Sequence, residues 1–206
     1  MKQLLLDIQP PALPSFDNFV VGRNAEALHS LDLALSGHES ARFIYLWGES
    51  GSGKSHLAKT YQHINTHAVV VDDVQLLDDA AQINLFNTYN DIRNNPEPGK
   101  TLMVTGNAAP TQMNLRDDLA TRLAWGLTYQ LHPLSDEEKA LALMSHADTR
   151  GMRLPTEVIT YCLRYLQRDL PTLISTINAL DEWSLTTKKP VTVPMLRQLL
   201  QLPLNQ

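Results

Sequence analysis

Residues 48–55, Gly48-Glu49-Ser50-Gly51-Ser52-Gly53-Lys54-Ser55, satisfy G-x-x-x-x-G-K-[ST] completely. That spacing has a mechanism. Glycines let the backbone curl until successive N–H groups point inward at phosphate oxygens. A helix starting at Lys54 adds the positive end of its dipole. Lys54 then reaches the β- and γ-phosphates, and the Ser55 hydroxyl ligates Mg²⁺. The chemistry is the grip of a nucleoside polyphosphate with its metal ion.

A second group of residues could act on what that loop holds. Asp72 closes the apolar run Ala68-Val69-Val70-Val71, where a metal-holding carboxylate belongs. Asp73 beside it can orient or activate an attacking water; equally, it can be an ordinary loop carboxylate. Asn107 stands one residue past another apolar run, where its amide could polarise a water at the γ-phosphate. Gly-Asn is also a common turn pair. Arg122 and Arg168 are single arginines, and residue type and spacing alone do not distinguish them from surface charges.

These groups need elements to carry them. Phe43-Ile44-Tyr45-Leu46-Trp47 reads as a buried parallel strand running straight into Gly48. A helix from Lys54 to about Ile64 follows it, then a strand ending at Asp72-Asp73. Asp78 to Arg93 is amphipathic, with Ile83, Leu85, Phe86 and Tyr89 as its apolar members. Thr101 to Thr105 is a third strand, Leu115 to Trp125 is helical, and Leu127 to Leu131 is a short fourth strand. Upstream, Asn24 is placed to cap a helix reaching about Leu35. Strands alternating with helices imply a parallel α/β sheet. After Pro133 the pattern becomes purely helical, opening with the capping-box spacing of Ser135 and Glu138. Four helices are expected, starting near Ser135, Pro155, Leu170 and Pro194. The expected division is a tail over 1–15, an α/β domain over 16–132 and a helical lid over 133–206.

Composition narrows the options. The chain has 206 residues, 43% of them hydrophobic, and a net charge of -5. No clustered Lys and Arg mark a surface whose main work is gripping the DNA backbone. No apolar run approaches the roughly 18 residues of a membrane span. Cys162 is the single cysteine, and no signal peptide is evident, which leads us to expect a cytoplasmic protein.

The order strand–P-loop, strand–Asp-Asp, strand–Thr-Gly-Asn and helical lid resembles the AAA+ ATPases, in particular their replication-initiator branch typified by DnaA. Within that branch it looks like the small regulators that act on DnaA. Further segments carry the resemblance. Leu119-Ala120-Thr121-Arg122-Leu123-Ala124-Trp125-Gly126 looks like the arginine-finger segment, making Arg122 the finger. His132-Pro133-Leu134-Ser135-Asp136-Glu137-Glu138-Lys139 resembles the start of the lid. Arg168-Asp169-Leu170 resembles the sensor 2 segment, so Arg168 is implied to touch nucleotide from the lid. Asn107 takes the sensor 1 place, and Asp72 the Walker B place. Val20 and Val21 fall where the family surrounds adenine, so the implied ligands are ADP or ATP with Mg²⁺. Gln3-Leu4-Leu5-Leu6-Asp7-Ile8 resembles a peptide that docks on the DNA polymerase sliding clamp. Gln3 would offer its amide, and Leu4, Leu6 and Ile8 would fill an apolar pocket. The resemblance implies a negative regulator of replication initiation that stimulates hydrolysis of DnaA-bound ATP in trans, with weak ATPase activity of its own. It is also compatible with a homodimer or a mixed assembly with DnaA.

Two departures from that branch follow from length. The chain stops at Gln206, directly after the lid, so no helix-turn-helix domain for reading DNA boxes is expected. Between Lys54 and Asp72, a helix of about ten residues and a short strand leave no room for another crossover of at least about 10–12 residues. The AAA+ sheet order 5-1-4-3-2 should therefore lack its edge strand 2, leaving four parallel strands unless the N-terminal segment adds one. Two other functions compete with the regulatory one. The intact Lys54, Ser55 and Asp72 set also suits a motor or helicase loader, although Asp73 stands where motors commonly carry Glu. A small-molecule kinase would need an Arg-rich acceptor insert. Arg150, Arg153, Arg164 and Arg168 are too scattered to supply one.

Overall fold

A computed structural model describes residues 13–36, 42–95, 97, 99–167 and 169–201. One unit spans Pro14–Leu134, and a helical unit runs on from Ser135. Among the described residues, no helix is long and apolar enough to cross a membrane.

The first unit is built on four parallel strands: β1 (Phe43–Trp47), β2 (Val69–Val71), β3 (Leu102–Gly106) and β4 (Leu127–Gln130). Their order across the sheet is β2-β3-β1-β4. Helices α1 (Ala25–Leu35) and α2 (Lys54–Ile64) precede and follow β1; α3 (Asp79–Asn94) and α4 (Asp117–Leu123) follow β2 and β3. Side chains alternate across a strand. Ile44, Leu46 and Met103 therefore join Leu31, Leu57 and Tyr61 in one apolar layer. Tyr45, Leu102 and Val104 join Leu85, Tyr89, Ile92 and Leu119 in the other. With both faces covered, β1 and the Leu102–Val104 part of β3 must be continuously apolar, as their sequences are.

The missing edge strand is real. Helix α2 ends at Ile64 and β2 starts at Val69, so residues 55–71 contain one helix and one strand. Asn65 closes the short connection. Its amide donates to the Gly99 carbonyl at 2.9 Å and to Thr101 Oγ1 at 3.2 Å. Among the described residues β2 pairs with β3 alone.

Two local expectations need correction. Asn24 stands at the N-cap position of α1, but its side chain makes no cap bond. Instead the amide donates to the His132 carbonyl at 2.9 Å, and its carbonyl accepts the His132 N–H at 2.7 Å. Asn24 is 3% exposed, so this pair substitutes for lost water and fixes the segment after β4. On α3 the buried face is Gln82, Leu85, Tyr89 and Ile92. Ile83 is left 42% exposed, because a step of one residue turns it away from that face. Replacing Asn24 by Leu should cost about 2–4 kcal/mol, since two main-chain groups of His132 lose their partner. A urea unfolding midpoint equal to the parent's would contradict this.

The helical unit contains α5 (Asp136–Thr149), α6 (Thr156–Tyr165), α7 (Leu170–Thr187) and α8 (Val193–Gln201). Ser135 and Glu138 form the full reciprocal capping box. Asp169 caps α7 by accepting the Thr172 N–H at 2.9 Å. Leu143, Ile159, Leu173, Ile177 and Leu196 lead its core, with Cys162 buried among them. Burial pushes that thiol up to about 11. Asp181, 7% exposed, is paired with Arg150 at 3.0 Å.

Candidate phosphate-binding site

The site lies at the carboxyl ends of the parallel strands, where crevices form in open α/β sheets. Trp47 is level with Gly106, and Val71 with Val104. Just beyond, the Gly48 N–H donates to the Gly106 carbonyl at 3.3 Å and the Asp73 N–H to Thr105 Oγ1 at 2.9 Å. The loop, the acidic pair and Asn107 therefore emerge side by side.

Geometry around residues 48–55 requires the glycines. Gly48 has φ +153, and a Cβ there would stand 2.1 Å from the Leu131 carbonyl oxygen. Gly53, at φ +94, holds the N-cap of α2, and a Cβ there would meet the Phe19 ring at 2.6 Å. Lys54 is 8% exposed, and its ammonium donates to the loop's own Gly48 and Glu49 carbonyls at 2.8 and 2.9 Å. Burial lowers its pKa, while the nearby charges of Asp73 and Asp72 pull the other way. The buried Ser52 hydroxyl has no hydrogen-bond partner among the described residues. An inward ammonium, an unmatched hydroxyl and a helix N-terminus are all features a phosphate group would satisfy, so the residues fit a nucleotide. Ser55 follows Lys54 in the first turn of α2 and is partly buried.

The acidic pair is tied to β3 through a residue that sequence reading missed. Thr105, fully buried, donates its hydroxyl to Asp72 Oδ1 and accepts the Asp73 N–H at 2.9 Å. Its signal was available: a threonine inside Leu-Met-Val-Thr-Gly is the one polar side chain on a wholly buried strand. Asp72 is exposed and Asp73 partly so, whereas Asn107 is exposed just beyond β3.

Val20 is partly buried and Val21 39% exposed, in a segment without regular structure. The member of that segment against the loop is Phe19, also missed. Its ring lies edge-on to His56, 5.4 Å between centroids, while His56 Nε2 is 2.9 Å from the Ser15 carbonyl. Arg122 is elsewhere in the unit. Its guanidinium lies 4.7 Å from the Trp125 ring centre and 5.9 Å from that of Tyr89. It makes no ion pair among the described residues. Trp125 is 61% exposed, so this platform faces solvent. Gln3, Leu4, Leu6, Ile8 and Arg168 lie outside the described residues.

Comparison with known proteins agrees with this architecture. Domain III of the Thermotoga maritima replication initiation protein DnaA superposes with a TM-score of 0.73, at 22% identity, over 93% of this chain and 98% of that one. AMPPCP-bound DnaA from Aquifex aeolicus gives 0.66 at 18% identity, over 86% and 70%. Thermotoga maritima RuvB, a Holliday junction branch migration motor, gives 0.64 at 14% identity, over 93% and 71%. The sheet order, the P-loop after β1 and the helical unit define a AAA+ fold. Residues 136–200 match the family model described as Hda, lid domain. The chain thus has the AAA+ fold seen in DnaA domain III, and its residues 136–200 are similar to the Hda lid domain.

Proposed function

We propose that this chain is a nucleotide-dependent negative regulator of replication initiation. It binds ADP or ATP with Mg²⁺ through Gly48–Ser55 and Asp72. It docks on the DNA polymerase sliding clamp through Gln3, Leu4, Leu6 and Ile8. It then presents Arg122 to ATP held by DnaA, whose hydrolysis switches initiation off. Its own ATPase activity is weak, and resident nucleotide serves mainly to set the orientation of core and lid.

The observation that carries this reading is Arg122. A guanidinium held on two aromatic rings, without a carboxylate partner among the described residues, keeps its full charge for an incoming phosphate. The Hda-type lid supports DnaA as the source of that phosphate. The resident nucleotide brings the negative charge that Lys54, the loop N–H groups and a Mg²⁺ held by Ser55 and Asp72 would neutralise.

The clamp half is tested separately. Capture of the protein on immobilised sliding clamp should be lost in the Gln3→Ala, Leu6→Ala double variant and kept in the parent. Equal capture of both would remove the tail from the mechanism.

A further inference from the structure

Asn107 is exposed at the end of β3, yet the backbone on each side of it is tied down. Before it, the Gly106 carbonyl accepts the N–H of Gly48, the first residue of the phosphate loop, at 3.3 Å. After it, the Ala108 carbonyl accepts the Tyr45 hydroxyl at 2.9 Å, and Met113 Sδ lies 3.6 Å from the same hydroxyl. The Asn107 side chain itself makes no hydrogen bond among the described residues. A free amide thus sits on a clamped turn that is bonded directly to the loop.

The tyrosine is an unusual choice for this clamp. Tyr45 lies in the middle of β1, 1% exposed, paired in register with Val104. Gly106, two residues past Val104, is on the same face of the sheet. A Cβ there would stand 2.1 Å from the Tyr45 hydroxyl oxygen, so the phenol reaches the turn because Gly106 has none. Burial pushes the Tyr45 pKa up, which keeps the hydroxyl protonated as a donor. A phenylalanine would fill the same apolar layer without burying an oxygen. What the hydroxyl adds is its hold on the turn that carries Asn107.

We infer that Tyr45 is a positioning residue: by holding Ala108 it aims the Asn107 amide at the third phosphate of a nucleoside triphosphate, and so helps the site tell ATP from ADP. This rests on the reading of residues 48–55 as a nucleotide site. The loop N–H groups cradle phosphates that both nucleotides carry, so they discriminate little. Discrimination needs groups that meet only what ATP adds. An amide on the strand beside β1 is such a group, and a hydrogen bond from it weakens steeply once its direction is lost.

Calorimetry with Mg²⁺ and either ADP or the non-hydrolysable analogue AMPPCP tests this. Tyr45→Phe should weaken AMPPCP binding about five- to tenfold, the worth of roughly one hydrogen bond, and should change ADP affinity by less than about twofold. Asn107→Ala should weaken AMPPCP binding at least as much, again sparing ADP. The double variant should bind AMPPCP no more weakly than Asn107→Ala alone, because the hydroxyl acts through the amide. Tyr45→Phe keeps the ring and its packing. If it lowers the melting temperature but leaves the ratio of AMPPCP to ADP affinity at the parental value, the hydroxyl is structural only and the inference is overturned. An equal loss for both nucleotides overturns it too, as does a loss that persists in full on top of Asn107→Ala. If the parent binds both nucleotides and Asn107→Ala leaves their ratio unchanged, the amide meets no third phosphate and Tyr45 has nothing to aim. A parent that binds neither nucleotide overturns the site itself.

Discussion

Arg122→Ala should abolish the proposed acceleration of hydrolysis of DnaA-bound ATP in the presence of DNA-loaded clamp. A trans arginine in the GTPase examples is worth about 10³–10⁵ in rate, so even the lower figure reduces stimulation to background. The loss should appear in turnover rather than in complex formation, because the charge matters most as the γ-phosphate develops its transition-state charge. Arg122→Lys should restore little. A lysine keeps the charge but not the planar fork, nor the stacking on Trp125 at 4.7 Å that sets its direction. Capture by the clamp should be unaffected, since the residues proposed for it are in the N-terminal tail. If the alanine variant stimulates as well as the parent, the finger assignment is wrong.

The second large effect belongs to Lys54. Lys54→Ala should weaken ADP binding by at least about 100-fold, the value of one or two charge-assisted hydrogen bonds to phosphate. Calorimetry reads this directly, and the ADP-dependent rise in melting temperature should vanish with it. The nucleotide-free variant should lose far less stability than a typical core truncation. The parent must bury this ammonium, and burial already opposes its charge. Lys54→Met separates the effects, since it keeps the buried stem and removes only the charge. Should ADP raise the melting temperature of both variants as much as the parent's, phosphate binding would have to lie elsewhere.

How much of this was legible in the sequence depends on how far apart the cooperating residues are. The P-loop was readable because its chemistry is contiguous. Glycine spacing, the lysine and the following helix all lie within one turn of chain, and backbone sterics leave few other uses for them. The four-stranded sheet followed from chain length alone, since 17 residues between Lys54 and Asp72 hold one helix and one strand. Asp72 could be singled out because a carboxylate at the end of an apolar strand is locally conspicuous.

Other features required the fold. Asn24 looked like a helix cap, and the cap position is right, but its amide reaches His132, 108 residues away. Thr105 bridges to Asp72 and Asp73 only because β2 and β3 lie side by side in register. Ile83 and Ile92 are the same residue type on one helix, yet only Ile92 turns toward the sheet. Phe19 covers Gly53 from a segment with no regular structure to predict it. Sequence by itself determined the glycine-rich turn between β1 and α2, the strand count and the change to an all-helical unit, because each is written in local sterics, hydrophobic period and chain length. Only tertiary structure decided which polar groups meet. Hydrogen bonds act over about 3 Å in space, whatever their separation along the chain.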